Sequence, residues 1–177
     1  TPLYSSAASD VYKRQVNQAA ESWGIEPGRP IFIYDSGNCL FAARAWWVLR
    51  WAGIEDVHIL DGGFARWDGG GFPTVAGPGS VVVPRVVQTT PDSLPTADID
   101  EVRAFEGLLI DARSKNRFDG RREVLDLRAG HIPGAVNLPV AELFDEPGDG
   151  DAVRVKDVDE IRSRLADAGV TLSLIHI

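Results

Sequence analysis

Cysteine is almost missing from this chain: Cys39 stands alone among 177 residues. A single thiol excludes an internal disulfide framework and any cysteine-cluster zinc site, and it is compatible with the reducing cytoplasm, the compartment expected here. Long apolar runs are missing as well. None approaches the roughly 20 residues that a membrane-spanning helix needs, and the N-terminus shows no basic region followed by an apolar core and a cleavage site. Positive charge is in deficit, with a formal net charge of −8, which argues against nucleic acid as the main partner. A small anionic ligand stays possible, because its recognition depends on local charge. The remaining composition, 44% hydrophobic and 25% charged, is that of a soluble globular protein large enough for one domain or two halves.

Both ends read as something other than protein selected to fold. Ser5 to Gln15, SSAASDVYKRQ, is the translation of a transposase-type sequencing adapter, and Leu172 to Ile177, LSLIHI, is that of the reverse complement of its inner part. Residues 1–15 and 172–177 are therefore set apart as adapter-derived tails, as an expression tag would be. The alternative is a disordered N-terminal tail and a C-terminal apolar strand.

Between those ends, the stretch Asp111 to Pro139 concentrates the chemistry. Leu108-Leu109-Ile110 reads as a buried strand that Asp111 and Ala112 terminate, so Arg113, Lys115 and Arg117 leave the sheet at its carboxyl end, the edge at which open α/β sheets bind ligands. Lys115, Arg117, Arg121, Arg122 and Arg128 form a local cationic patch in an acidic chain. That pattern suits a small anion.

Upstream, a helix tail (Val16 to Trp23) leads through Gly24 to Pro30 into a β-branched and aromatic strand, Ile31 to Tyr34. Cys39 to Ala52 is apolar apart from Arg44 and Arg50 and reads as a helix buried against a sheet, with Gly53 as its C-terminal cap. Val57 to Leu60 is the next strand, and Asp61-Gly62-Gly63 turns into a short helix around Phe64 to Trp67. Strand, helix and strand with short turns imply a right-handed parallel unit. Residues 77–95, rich in glycine, proline and extended β-branched segments, read as a connector along a surface. Short helices are expected at Ile99 to Phe105 and Ala141 to Phe144, and an amphipathic helix capped by Asp157 and ended by Gly169.

The pattern Asp111-Ala112-Arg113, then Arg117-Phe118-x-Gly120, then Gly130-His131-Ile132-Pro133-Gly134-Ala135-x-Asn137-x-Pro139 resembles the second domain of two-domain rhodaneses, the thiosulfate and 3-mercaptopyruvate sulfurtransferases. Tyr34-Asp35-x-Gly37, Ala42 to Arg44 with Trp46 and Trp47, and Leu60 to Gly63 with Trp67 resemble the second half of the first domain. The resemblance implies a parallel sheet flanked by helices. It also implies two incomplete half-domains: residues 16–76 as the C-terminal half of a first, non-catalytic domain and 96–171 as the N-terminal half of a catalytic-type one. A permuted pseudo-domain, with the Ile31 strand beside the Leu108 strand, would give the halves one way to dock.

The function so implied is transfer of sulfane sulfur from a small anionic donor to a thiol or cyanide acceptor through a cysteine persulfide, without a cofactor or metal. The nucleophilic cysteine is not in the chain, and Asp35 holds its position in the first domain. This polypeptide is accordingly expected to be inactive by itself, and the competing reading is a non-catalytic binding or regulatory module. Arg117 corresponds to the arginine that holds the donor, and Arg128 lies near the place of a second carboxylate-binding arginine; each has a plain solvated arginine as its alternative. Arg113 reads as structural, His131 as bracing its turn rather than acting as a general base, and Trp46 and Trp47 as core or interface residues. Asp61 and Asp111 are expected to satisfy loop amides. Cys39, near a helix N-terminus, weighs dipole activation against an inert thiol, and the inert reading is preferred.

Overall fold

β-Branched and aromatic side chains put Ile31–Ile33 into the first strand, β1, directly after Pro30, whose missing N–H suits a strand start. The computed structural model describes residues 3–26, 28–79, 82–125, 127–145 and 153–171. A run without glycine or proline follows as helix α2 (Leu40–Trp51), and Val57–Ile59 returns as β2, parallel to β1 with Ile31 beside Val57 and Ile33 beside Ile59. The expected strand–helix–strand unit is present. Tyr34 and Leu60 lie just outside the ladder, where the chain turns toward helix α3 (Gly63–Gly69).

Helix α1 (Leu3–Ser22) precedes this unit. It contains the expected helix tail from Val16 to Ser22, one residue short of Trp23, and continues it back through the segment set apart as adapter-derived, a stretch with no proline or glycine to stop it. The stretch 172–177 lies outside the described residues.

Ala20 from α1, Ile25, Leu49 from α2, Val57 from β2 and Val87 make one buried cluster, with Ile31, Ile33, Trp46 and Ile54 packed against it. Val16, Trp51 and Ala52 form a second, joined by Trp47, Val48 and Leu94. Trp46 and Trp47 are partly buried and pack on these clusters: the Trp46 indole N–H donates to the Val57 carbonyl at 2.9 Å, and Trp47 stacks on Trp51 with ring centroids 6.4 Å apart.

Val87 comes from the stretch expected to run along a surface; most of its described residues are exposed, and among them Val87 alone is buried. The segment is fastened down: the Arg85 N–H donates to the Glu21 carbonyl at 3.2 Å, the Thr90 N–H to Ala52 at 2.7 Å and the Ser93 N–H to Trp51 at 3.0 Å. The β-branched residues that make it extended also supply the side chain that closes the core against α1 and α2.

A second unit begins between Asp98 and Ile99. It contains α4 (Ile99–Ala104), β3 (Ile110–Asp111), the single turn α5 (Lys115–Phe118), β4 (Val136–Asn137), a 3-10 turn at Val140–Leu143 and α6 (Val158–Asp167). β3 and β4 are parallel, with Ile110 beside Val136 and Asp111 beside Asn137. Asp157 caps α6 by accepting the Asp159 N–H at 2.9 Å. At the far ends of α2 and α6, Gly53 (φ 84°) and Gly169 (φ 88°) adopt the left-handed conformation. The next residues, Ile54 and Val170, each donate an N–H back into the last turn, to Leu49 at 3.0 Å and Leu165 at 2.8 Å. Among the described residues of this unit only Leu138 is buried.

β1 and β3 belong to separate two-stranded sheets. The pseudo-domain that would set the Ile31 strand beside the Leu108 strand is therefore not formed. Each strand pairs across one short crossover within its own unit, the closure with the smaller entropic cost.

Candidate functional site

The loop that leaves β3 is organised by Arg113. Its Nε stands 3.0 Å from Asp111 Oδ1 and its Nη2 2.6 Å from Oδ2, and the same Nη2 donates to the Gly130 carbonyl at 2.7 Å. The planar guanidinium fork fits a carboxylate two bonds at a time, so Arg113 ties the end of β3 to the Gly130-His131 turn across the loop. Asp111 also accepts the Arg113 backbone N–H at 2.9 Å, the amide-satisfying role expected of it. The Arg113 hydrogen bond holds the Asp111 carboxyl below its ordinary value, against a smaller opposing effect of burial. Asn137 on β4 donates to the Asp111 and Arg113 carbonyls at 3.0 and 2.9 Å, which fixes the same corner from the other strand.

His131 braces its turn, as its glycine-rich surroundings imply. Nδ1 lies 2.8 Å from the Phe118 carbonyl oxygen, and the imidazole stacks on the Phe118 ring at 3.7 Å and 10°. Arg117 lies one residue before that phenylalanine. Its Nε donates to Glu123 Oε2 at 3.0 Å, and Arg113 Nη1 approaches the same oxygen at 3.6 Å. The Glu123 side chain is only 6% exposed, and its other oxygen accepts the Val124 and Leu125 amides, each at 2.9 Å. The anion between these two arginines is therefore the chain's own. Sequence reading missed Glu123, because an acidic residue within an arginine-rich loop looks like surface composition; its signal is the single carboxylate between Arg122 and the apolar Val124-Leu125.

Arg128 is placed differently. It is exposed, has no ion-pair partner among the described residues, and lines a cavity of about 940 Å³ with Asp111, Arg113, Gly130, His131 and Ile132. Arg117 is turned to Glu123 and is not part of that lining. The two arginines singled out in the sequence thus sit in different surroundings, one paired and one open to the cavity at the carboxyl end of β3.

In the first unit the loop after β1 is also built around a carboxylate. Asp35 accepts the Gly37 and Cys39 N–H groups at 2.9 and 3.1 Å on Oδ1 and the Ala42 N–H at 3.3 Å on Oδ2. Burial by itself would raise this carboxyl, but the amides of Gly37, Ala42, Cys39 and Phe41 outweigh it and hold Asp35 below its ordinary value. Gly63 closes the corner from the other side: a β-carbon there would stand 2.6 Å from the Asp35 carbonyl oxygen, which accepts the Phe64 N–H at 2.8 Å. Asp61, at the end of β2, meets Arg66 at 2.7 Å.

Cys39 precedes α2, with φ of 58° and 4% exposure. Burial pushes its thiol up and the nearby Asp35 and Asp61 charges add to that, against a smaller opposing effect of the Gly62 amide. Burial and these charges oppose activation by the helix dipole. Among the described residues no group of His, Cys, Asp and Glu is arranged to hold a metal ion, and no helix is long and apolar enough to cross a membrane.

Comparison with known proteins agrees with this geometry. Residues 5–69 match the model of the rhodanese-like domain. A Pseudomonas aeruginosa protein named "Probable 3-mercaptopyruvate sulfurtransferase" is 41% identical over 120 residues, 65% of this chain and 42% of that protein. The thiosulfate sulfurtransferase of Gallus gallus is 30% identical over 156 residues, 85% of this chain and 52% of that protein. The structure of 3-mercaptopyruvate sulfurtransferase from Leishmania major superposes with a TM-score of 0.74 at 25% identity, covering 89% of this chain and 43% of that one. The parallel strands flanked by helices are thus a rhodanese-like α/β arrangement, and the chain spans about half the length of the curated relatives it matches.

Proposed function

We propose that this chain, which matches the rhodanese-like domain over residues 5–69 and is similar to curated sulfurtransferases, serves sulfur transfer, with its second unit recognising a small anionic sulfur donor, thiosulfate or 3-mercaptopyruvate. The observation that carries the reading is Arg128: a guanidinium with no ion-pair partner among the described residues, on the wall of a cavity at the carboxyl end of a parallel strand. A guanidinium presents a planar set of donors to the sulfonate-like or carboxylate end of either donor. Arg113 and Asp111 hold the wall in place, and His131 fixes the turn that carries it. Arg117 adds positive charge to the same loop while its Nε is engaged by Glu123.

The chemical step needs a thiolate in a cradle of backbone amides. That thiolate takes the outer sulfur of the donor, the donor leaves with the bonding electron pair, and the resulting persulfide yields its sulfur to cyanide or a thiol, which regenerates the thiolate. Cys39 does not supply it, being buried with its thiol pushed up. The role proposed for this polypeptide is therefore donor binding, and transfer requires a cysteine that this sequence does not contain.

A second reading, a non-catalytic binding or regulatory module, is favoured by the two internal carboxylates. Asp35 fills the amide cradle of the first unit, and Glu123 lies between Arg113 and Arg117 in the second. Calorimetric titration of this chain with thiosulfate and with 3-mercaptopyruvate, beside an assay of sulfur transfer to cyanide, tests both. Donor binding that Arg128→Ala weakens, without transfer, supports the first reading; absence of binding by either donor removes it.

A further inference from the structure

We propose that Glu123 is the internal occupant of an oxyanion site formed by Arg113 and Arg117, and that a small oxyanion binds there by exchange with the Glu123 carboxylate. Four donors converge on that carboxylate. Arg117 Nε lies 3.0 Å and Arg113 Nη1 3.6 Å from Oε2, while the Val124 and Leu125 amides each donate to Oε1 at 2.9 Å. Two guanidinium groups around one oxygen are a donor set that suits any small oxyanion, whether or not it belongs to the same chain. Of the three residues that make this contact, only Arg113 also lines the cavity that holds Arg128. The site is therefore separate from the donor site assigned to Arg128.

Two features permit exchange. The first is that the site outlasts its occupant. Arg113 is held by Asp111 through Nε and Nη2 and by the Gly130 carbonyl through Nη2, whereas Nη1 is the nitrogen that approaches Glu123. It keeps its place when Glu123 leaves. The Arg117 backbone is anchored separately, its N–H donating to the Ser114 carbonyl at 3.0 Å at the head of α5. The second feature is that the occupant moves as one piece. Oε1 is bonded to the amides of the two residues that follow Glu123, so the carboxylate carries those bonds with it. What opens is its contact with the guanidinium groups, and no amide is orphaned.

Charge keeps the loop shut until an anion arrives. The Glu123 side chain is 6% exposed, and those of Arg113 and Arg117 are 28% and 23% exposed. Departure of Glu123 without replacement would take away a counter-ion that two largely covered cations share, which is strongly disfavoured. An incoming oxyanion removes that penalty. The closed loop then weakens apparent binding by the factor that separates the closed from the open population. By linkage, the bound anion raises the open population by the same factor. Affinity and loop opening are thus two readings of one equilibrium.

The test uses a glutamate-specific protease, which must take the Glu123 side chain into its own pocket and so reads its departure from the arginines. In the full chain, saturating thiosulfate at constant ionic strength is expected to speed cleavage of the Glu123–Val124 bond at least about fivefold, with cleavage after Glu21 and Glu55 unchanged. Calorimetric titration with thiosulfate is made in an Arg128→Ala background, so that failure of the Arg128 reading does not enter the result. There Glu123→Gln is expected to tighten binding at least about fivefold, and Arg117→Gln added to it to abolish binding. Cleavage that thiosulfate leaves unchanged or slows overturns the proposal on the unaltered chain, whether or not the variants fold. An affinity that Glu123→Gln leaves unchanged, or binding that survives Arg117→Gln, overturns it equally.

Discussion

The backbone N–H of Cys39 donates to the Asp35 carboxylate at 3.1 Å, so the residue that carries the chain's single thiol is held by a carboxylate at the tip of β1. Gly37 and Ala42 donate to the same group. Three amides converging on one anion would stabilise a thiolate equally well. Here the anion is built into the chain, which makes the loop rigid and leaves the thiol of Cys39 buried outside the cradle it helps to form.

Asp35→Ala is expected to lower stability by about 2 kcal/mol, because three amides lose a charged acceptor at the start of α2. Asp35→Asn, which keeps one acceptor oxygen, costs about half as much. Urea denaturation followed by far-UV circular dichroism measures both; equal stability of the Ala variant and wild type would show that water replaces the carboxylate without loss.

Acid dependence follows from Asp35 and Asp111, both held below the ordinary aspartate value of 3.8. A depressed folded-state pKa stabilises the native state fully above the unfolded value, and that contribution disappears as pH falls through the lower folded values. Urea midpoints are therefore expected to drop between about pH 4 and pH 2, with a shallower drop in Asp35→Asn. A flat profile in wild type over that interval contradicts the assignment.

Cys39 is expected to resist alkylation. Burial and the Asp35 and Asp61 charges keep its thiol protonated and covered, so iodoacetamide labelling of the native chain at neutral pH should be at least about tenfold slower than in urea. Incubation with thiosulfate is expected to leave no persulfide adduct by mass spectrometry. Equal native and denatured labelling rates would return Cys39 to the set of reactive candidates.

Arg113 and Arg128 are expected to separate cleanly. Arg113→Ala leaves Asp111, Glu123 and the Gly130 carbonyl without a shared donor and costs about 3 kcal/mol. Arg128→Ala, at an exposed position, changes stability by less than about 0.5 kcal/mol and weakens donor binding about tenfold. Denaturation and calorimetry on the two variants decide the matter. Loss of binding without loss of stability in Arg113→Ala would reverse the two roles.

Glu123→Gln removes the internal anion from between Arg113 and Arg117. It is expected to cost about 1 to 2 kcal/mol of stability and to make thiosulfate more stabilising than in wild type, with an additional thermal shift of about 3 °C at saturation. The same thermal shift in both proteins would mean that the arginines are not accessible to an outside anion even when Glu123 is neutral.

The strand–helix–strand order of the first unit, the glycine ends of α2 and α6, the Asp157 cap and the bracing role of His131 were all legible in the sequence. They depend on neighbours along the chain, through side-chain alternation, turn chemistry and capping. So was the concentration of arginines after β3. What each arginine meets was not legible, because pairing depends on groups that fold into reach from other positions: Glu123 meets Arg113 and Arg117 at distances set by a loop, while Arg128 escapes every partner within the described residues. Val87 entered the core for the same reason, its alternation looking like a surface connector until α1 and α2 supplied a cavity for it. Sequence by itself determined the local elements and the kind of charge each segment carries. Only the tertiary structure decided which charges neutralise one another and which side chains enter the core, because those outcomes depend on distances between residues that the chain does not place side by side.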